Sequence, residues 1–220
     1  MKYIETKMFN FYEFVYGIEW MLSHSNSSNK NDDNYNNNDL MSKLKENVLL
    51  CKKCRLANNR TNVVFGEGNI NAKLMFIGEG PGAEEDIQGR PFVGRAGKLL
   101  DKMILAMGLA REEVYIANIV KCRPPYNRAP FRDEAEMCKP YLIEQINIIK
   151  PDLIICLGSI ATNYLLDINV SITKVHGSLK EFNGISVIPT FHPAYLLRNP
   201  GKKAEAWEDL KKAMAILSLT

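Results

Sequence analysis

Four short apolar segments are spaced along the chain, and each is followed by a polar or glycine-containing turn. Uninterrupted apolar runs of this length are typical of strands buried on both faces of a sheet. The segments between them repeat apolar residues at helical spacing. Strands that alternate with helices predict an α/β fold, a three-layer α/β/α arrangement around a mostly parallel, four-stranded central sheet. The predicted strands are residues 74–77, 114–117, 153–157 and 185–188.

Helical spacing is clearest in residues 99–107 and 207–217, with a shorter match at 161–165. A fourth helix is predicted around residues 137–149. Pro140 falls in this segment, and proline lacks the backbone N–H that a helix interior uses. We therefore expect Pro140 to lie near the start of that helix or to bend it.

The first 39 residues differ in composition from the rest of the chain. Residues 1–22 contain apolar and aromatic residues near helical spacing, which predicts a helical extension. Residues 23–39 are rich in Asn, Ser and Asp and contain too few apolar residues to offset the entropy of ordering. They are interpreted as a flexible linker, and residues 40–220 as the folded domain.

Composition narrows the class of protein only moderately. The chain has 220 residues, 46% of them apolar, and a net charge of +3, which neither requires nor excludes a nucleic-acid partner. No apolar run approaches the ~20 residues of a membrane span, and the N-terminus lacks the pattern of a signal peptide. We expect a cytoplasmic protein without membrane contact. Its five cysteines are then better explained by thiol or metal chemistry than by disulfides.

Four of the cysteines form a candidate metal site. Cys51 and Cys54 are a C-x-x-C pair that can reach one metal, and Cys122 and Cys138 follow later. Four thiolates suit tetrahedral zinc and an iron–sulfur cluster equally well, and Cys122 and Cys138 are alternatively ordinary buried residues. Cys156 stands among apolar strand residues and is predicted to belong to the core.

A glycine-rich segment follows the first predicted strand. Residues 78–83 match the dinucleotide pattern G-x-G-x-x-A. Residues 81–91 are predicted to form a long acidic turn, whereas a dinucleotide site needs a helix there, then a second strand ending in an acidic residue. The segment is equally consistent with a solvated acidic turn and with a loop that positions a water or stabilises positive charge.

The other strand ends carry further candidates, each with a structural alternative. His192 precedes Pro193 and is presented from an extended turn, although a lone histidine is more often structural. Leu196, Leu197 and Arg198 could insert into a base stack or pack on the domain. Phe92 could stack on a base or cap the core. Asn118 is followed by a basic cluster that could contact phosphates or simply be solvated, namely Lys121, Arg123 and Arg128.

Four of these segments together carry a specific resemblance. The sequences GEGPGAEED (78–86), GRPFVGRAGKLL (89–100), NIVKCRPPYNRAP (118–130) and TFHPAYLLRNP (190–200) resemble the family 4 uracil-DNA glycosylases. The resemblance covers about residues 40–217. Members of that family remove uracil from DNA and hold a [4Fe–4S] cluster, and the four cysteines here occur in the order that the family uses. The resemblance therefore implies the cluster ligands Cys51, Cys54, Cys122 and Cys138.

The resemblance also implies roles for individual residues. Phe92 would stack on the flipped uracil, Asn118 would bond its polar edge, and His192 would stabilise the charge on the leaving base. The backbone of Gly78 and Gly80, with Glu79, would hold the water and the base edge. Glu85 would exclude the thymine methyl. The implied catalytic residues are His192, Glu79 and Asn118, and the implied DNA contacts are Arg123, Leu196, Leu197 and Arg198.

One departure from a related branch sharpens the expected reaction. That branch carries a histidine after the second-strand motif and traps the sugar covalently, but residues 123–130 contain no histidine. The resemblance therefore implies a monomer that turns over by hydrolysis on single- or double-stranded uracil-containing DNA. Two alternatives remain open: a non-catalytic, metal-stabilised nucleic-acid-binding module, and a nucleotide-binding oxidoreductase.

Overall fold

The computed structural model describes residues 37–219. Within that range six strands form one sheet in the order β1-β3-β2-β4-β6-β5. The four predicted strands are confirmed as the parallel centre of the sheet, β3-β2-β4-β6. The sheet as a whole is mixed, because β1 pairs antiparallel with β3 and β5 pairs antiparallel with β6. The strands are β1 Glu67–Gly68, β2 Leu74–Gly78, β3 Tyr115–Asn118, β4 Leu153–Leu157, β5 Lys180–Phe182 and β6 Ile185–Thr190.

Eight α-helices are described in residues 37–219. They are α1 Asn37–Leu49, α2 Ala83–Gln88, α3 Arg95–Ala106, α4 Arg132–Ile149, α5 Gly158–Leu166, α6 Ile172–Val175, α7 Pro193–Arg198 and α8 Lys203–Ile216. None of these helices is both long and apolar enough to cross a lipid bilayer. The four helices expected from apolar spacing correspond to α3, α4, α5 and α8.

The sheet separates two hydrophobic cores, which explains why its central strands are apolar at consecutive positions. Side chains alternate between the two faces of a strand. Met75 and Ile77 of β2 therefore pack with α1, α4 and α5, whereas Leu74 and Phe76 pack with α3, α7 and α8. Helices thus cover both faces of the central strands, as the predicted three-layer arrangement requires.

Three local predictions differ from the structure. Residues 83–88, expected within an acidic turn, form helix α2, in which the Glu85 carboxylate accepts the Gly82 N–H at 3.2 Å. Pro140 lies in the interior of α4 rather than near its start, and the helix continues on both sides of it. The alternative, that Pro140 bends the helix, stays a prediction. Residues 193–198 form the short helix α7 rather than a loop.

The predicted helical extension and residues 23–36 of the predicted linker lie outside the described residues. Helix α1 begins at Asn37, three residues before the domain start predicted at Leu40. Its buried residues Met41, Leu44 and Val48 join the core on the α4 side of the sheet.

Candidate active site

The carboxyl ends of the parallel strands bring the predicted residues to one edge of the sheet. Gly78 ends β2 and Asn118 ends β3, and the two are directly paired in the parallel register. Thr190 ends β6, two residues before His192. Ligands of open α/β sheets bind at this edge. The prediction that the site lies beyond these strand ends is therefore supported by the positions of all three segments.

A cavity of about 410 Å³ opens at this edge. Seven predicted uracil-binding or DNA-binding residues line it together, along with further residues of the 123–130 segment and helix α7. The lining residues are Glu79, Gly80, Pro81, Gly82, Glu85, Phe92, Ala96, Asn118, Pro124, Asn127, Arg128, His192, Ala194, Tyr195 and Arg198.

Asn118 carries an unsatisfied acceptor in this cavity. The residue is 2% exposed, and its Oδ1 is the one buried side-chain polar atom in residues 37–219 that has no hydrogen-bond partner. Leaving such an atom unpaired costs free energy, so an orphaned acceptor in a cavity indicates a ligand that donates to it. Gly78 lies directly beneath, and a β-carbon there would overlap Oδ1 and lie 2.6 Å from Phe92 Cζ.

Phe92 is buried and held in an unusual backbone conformation, with φ of 51°. Arg111 donates from its guanidinium to the carbonyl oxygens of Phe92 at 3.3 Å and Pro91 at 2.6 Å. A β-carbon at Gly97 would overlap the Phe92 carbonyl, so only glycine permits this close approach. The Phe92 ring is thereby placed 5.7 Å from the His192 ring, centroid to centroid.

His192 caps the N-terminus of α7 from an extended backbone conformation. Its Nδ1 accepts a hydrogen bond from the Ala194 N–H at 3.1 Å, so the neutral ring carries its proton on Nε2. Burial, and secondarily the positive charge of Arg198, lowers the pKa of His192 to about 4. The ring is therefore a neutral Nε2–H donor at physiological pH.

Two carboxylates complete the cavity wall in different ways. Burial raises the pKa of Glu79, whose carboxylate makes no hydrogen bond with another described side chain. Glu85 is fully engaged: one oxygen accepts the N–H groups of Val93 and Gly94, both at 3.0 Å, and the other accepts that of Gly82. Glu85 therefore ties the glycine-rich segment to the Phe92 segment, while Glu79 is available to a ligand.

The residues predicted to contact DNA differ in how far their side chains are exposed to solvent. Arg198 lines the cavity and is exposed, whereas Arg123 and Leu197 are partly exposed beside it. Leu196 is 2% exposed and packs in the core that contains α3 and α8, so its predicted contact with DNA stays a prediction that this conformation does not favour. Of the adjacent leucines, one must face the sheet when α7 packs on it.

Lys121 is also unavailable to phosphates, because it is 1% exposed. Its Nζ donates to the Asn118 carbonyl at 3.0 Å and to Gln145 Oε1 at 2.6 Å, and burial lowers its pKa to about 8. Sequence reasoning missed this interior role, and it also missed Arg111. Both residues are cations in polar segments of the sequence. In such segments the sequence does not distinguish a cation that hydrogen-bonds inside the protein from one that is solvated.

The four predicted metal-binding cysteines line one separate pocket, together with Lys53, Arg60 and Tyr141. Arg60 donates to Cys122 Sγ at 3.1 Å, and the Lys121 N–H donates to Cys138 Sγ at 3.2 Å. In residues 37–219 no three His, Cys, Asp or Glu side chains are gathered to hold one metal ion. Four cysteine thiols around one shared pocket are a donor set that suits either a tetrahedral zinc ion or an iron–sulfur cluster.

Cys156 is separate from this pocket. It is fully buried in β4, in the core on the α4 side of the sheet. The prediction that it is a core residue is confirmed.

Comparison with known proteins agrees with this geometry. A family model described as the uracil DNA glycosylase superfamily matches residues 65–211. The type-4 uracil-DNA glycosylase of Thermotoga maritima is 49% identical over 187 residues, covering 83% of this chain and 97% of that protein. That of Sulfurisphaera tokodaii is 50% identical over 184 residues, with 79% and 83% covered. That of Archaeoglobus fulgidus is 42% identical over 173 residues, with 75% and 87% covered. The chain therefore belongs to the type-4 uracil-DNA glycosylases, within the uracil-DNA glycosylase superfamily.

Proposed function

We propose that this protein hydrolyses the N-glycosidic bond of uracil in DNA and leaves an abasic site for base excision repair. The observation that carries the proposal is the unpartnered Oδ1 of Asn118, buried in a cavity beside Phe92 and His192. A glycosylase must take the base out of the duplex and bind it in a closely fitting pocket. Membership in the type-4 family agrees with this assignment.

Asn118 accounts for the choice of uracil over cytosine. Uracil presents an N–H donor next to an oxygen acceptor, which match the Oδ1 acceptor and the amide N–H donor of Asn118. Cytosine reverses both polarities, so it would leave the amide and the base unpaired in a buried site. Phe92 supplies the stacking face. Glu85 fixes the spacing of the Gly82 and Gly94 segments, and through that spacing we assign it the exclusion of the thymine methyl group.

His192 stabilises the departing base in this proposal. The neutral ring donates from Nε2 to the uracil 2-oxo group, where negative charge develops as the glycosidic bond breaks. Because the low pKa keeps His192 neutral, the ring strengthens its hydrogen bond in the transition state without having transferred a proton beforehand. Bond cleavage then precedes the addition of water.

Glu79 and the adjacent backbone of Gly78 and Gly80 hold the attacking water. The Glu79 carboxylate, free of any described partner, also faces the positive charge that develops on the sugar. Residues 123–130 contain no histidine that could capture this sugar, so the water completes the reaction and the enzyme turns over.

We also place a [4Fe–4S] cluster on Cys51, Cys54, Cys122 and Cys138. When bound, such a cluster supplies covalent cross-links between distant segments. The cysteines themselves join the residues after α1, the segment after β3 and helix α4. Since Cys122 lies four residues after Asn118, the ligands stabilise the segment that carries the uracil-reading amide.

The DNA is bound, in this proposal, by Arg123, Leu197 and Arg198 around the cavity mouth, and the substrate is single- or double-stranded. We further propose that the enzyme acts as a monomer. Cysteines that hold a metal cluster rather than disulfides are typical of a reducing compartment, so we assign the protein a cytoplasmic location.

The non-catalytic binding module remains the rival function. Such a module would explain the cysteine pocket and the basic residues at the cavity mouth. It would not explain why the Asn118 Oδ1 acceptor is buried without a hydrogen-bond partner. The deciding experiment incubates the purified, cluster-containing protein with a uracil-containing oligonucleotide and then cleaves abasic sites with alkali. We expect cleavage at uracil and none at cytosine or thymine. Binding without cleavage would support the module instead.

A further inference from the structure

Among residues 37–219, Tyr126 is the most exposed large hydrophobic side chain, with 99% of its surface accessible. It stands at the tip of a turn at residues 125–127, and its backbone has φ of 56° and ψ of 21°. This left-handed conformation is unfavourable for a residue with a β-carbon, and Asn127 shares it, with φ of 55°. The aromatic ring gains no packing within the described residues in return for this strain.

The turn is nevertheless held firmly on both sides. Arg123 Nε donates to Asn127 Oδ1 at 2.8 Å, and the backbone N–H of Asn127 donates to the Pro124 carbonyl at 3.1 Å. Arg128 makes two hydrogen bonds, of 2.8 and 2.7 Å, to the fully buried carboxylate of Glu134. Tyr126 therefore points outward from a turn that is already ordered. This order lowers the entropic cost of binding a partner.

The position of the turn indicates the partner. Pro124, Asn127 and Arg128, which flank Tyr126 in sequence, line the cavity that holds Asn118 and Phe92. Arg198, which is exposed on the same rim, places positive charge there that complements DNA phosphates. A DNA strand that places one base in this cavity must pass along the rim. The bases next to the extruded base have then each lost a stacking partner on one face.

We propose that the Tyr126 ring stacks on the base adjacent to the extruded uracil and so holds the opened strand at the cavity mouth. This inference rests on the proposed function and adds a substrate contact to it. A nucleobase face is the surface that an exposed, rigid aromatic ring matches, and such stacking is tolerant of sequence. The contact replaces the wedge expected of Leu196, which is buried in the core.

The test compares Tyr126→Gly, Tyr126→Ala and Tyr126→Trp in the cluster-containing full-length protein. Binding is measured to an oligonucleotide with a non-cleavable 2′-fluorinated deoxyuridine. We expect the Gly and Ala variants to bind about 10-fold more weakly or worse, and the Trp variant to bind like the wild type. Free uracil should inhibit all variants equally, because the pocket itself is unchanged. The melting temperature of Tyr126→Gly should equal or exceed that of the wild type, since glycine relieves the left-handed strain.

A fluorescent base locates the contact. With 2-aminopurine next to the uracil analogue, the wild type should change its emission and Tyr126→Gly should not. The matched control is Leu105→Ala, which removes an exposed apolar side chain at the opposite end of α3 from the cavity-lining Ala96 and should leave DNA affinity unchanged.

Wild-type affinity in Tyr126→Gly would overturn the inference. A change in the sedimentation of Tyr126→Gly with unaltered DNA affinity would overturn it too, and would assign the ring to contact between copies of the chain. The wild-type cleavage assay tests the proposed function separately, because cleavage at uracil is scored without reference to any Tyr126 variant.

Discussion

The Arg111 guanidinium donates a hydrogen bond over 3.3 Å to the carbonyl oxygen of Phe92, whose backbone it helps to hold at a φ of 51°. Asp101 at 2.6 Å and Glu67 at 2.7 Å orient the same guanidinium. The aromatic face of the cavity thus depends on a cation that does not line the cavity.

Replacing Arg111 by Met should therefore weaken substrate binding. The freed Phe92 carbonyl permits the segment to relax from its left-handed conformation, so the ring leaves its stacking position. We expect KM for a uracil-containing oligonucleotide to rise about 10-fold with a smaller effect on kcat, measured by steady-state kinetics. Arg90→Met is the matched control, because Arg90 also binds Glu67 but makes no hydrogen bond to the Phe92 segment. Equal effects of the two substitutions would contradict this role.

Gly78→Ala should abolish most activity through steric overlap. The added methyl group would displace Asn118 and the Phe92 ring together, and a displacement of about 1 Å at a reacting site costs about 100-fold in rate. Single-turnover cleavage measures the loss. Gly201→Ala should be neutral, because a β-carbon at Gly201 meets no atom within 4 Å. Full activity of Gly78→Ala would show that the packed arrangement of Asn118 and Phe92 is not required.

Asn118→Ala and His192→Ala should each lose at least about 100-fold in the chemical step while retaining the visible absorbance of the cluster. The first removes the amide that reads uracil, and the second removes the Nε2–H donor. Both sit outside the cysteine pocket, so the cluster serves as the internal control for folding. The site assignment would be wrong if both variants remained fully active, even with the family unchanged.

The pH dependence of the chemical step should reflect Glu79 rather than His192. Burial raises the pKa of Glu79, so its carboxylate is protonated, and activity falls, at a higher pH than an ordinary glutamate would give. His192, with its pKa lowered to about 4, stays neutral across that interval. We expect an acid limb that Glu79→Gln removes, along with lower activity. An inflection near pH 6.5 that His192→Gln abolished would refute the neutral histidine.

The same lowered pKa affects stability with a definite sign. The unfolded chain protonates His192 near pH 6.5, whereas the folded chain resists protonation until about pH 4. The contribution of His192 to the free energy of unfolding is therefore complete above pH 6.5 and is lost as the pH falls towards 4. Denaturant titrations of the wild type and His192→Gln between these pH values measure the difference.

The cysteines should separate into two classes when each is replaced by Ser. Cys138→Ser should lose the broad visible absorbance of an iron–sulfur cluster and a large part of the iron content, because Cys138 lines the shared pocket. Cys156→Ser should keep both, and lose only stability, because that thiol is buried in the core of β4. Iron analysis and optical spectra decide between them. Retained iron in Cys138→Ser would remove it from the ligand set.

Much of the fold follows from local pattern. The central strands are predictable because each is buried on both faces and therefore apolar throughout. Edge strands β1 and β5 have two and three residues, with Glu67 and Lys180 among them, and such short polar segments contain no strand signal. Half of the residues of helix α2 are acidic, so its sequence resembles a solvated turn. Glu85 of this helix accepts hydrogen bonds from the Val93 and Gly94 N–H groups, contacts between segments that no local pattern predicts.

The candidate site divides in the same way. Residue types such as Phe92, Asn118 and His192 at strand ends, and four cysteines in order, are visible in the sequence and carry the family resemblance. Whether Leu196 faced DNA or the core was not decidable locally, because adjacent leucines on a short helix face different directions.

The sequence by itself thus determined which polar side chains follow each buried strand and which cysteines can bind one shared metal group. Only the tertiary structure decided the register that pairs Gly78 with Asn118, the orphaned Oδ1 beneath the cavity, and the bracing of Phe92 by Arg111. The physical reason is distance along the chain. The periodicity of apolar residues shows which face of a helix or strand is buried. The contacts named above join segments that are far apart in the chain and meet only when the parallel strands pair and the helices pack on the sheet.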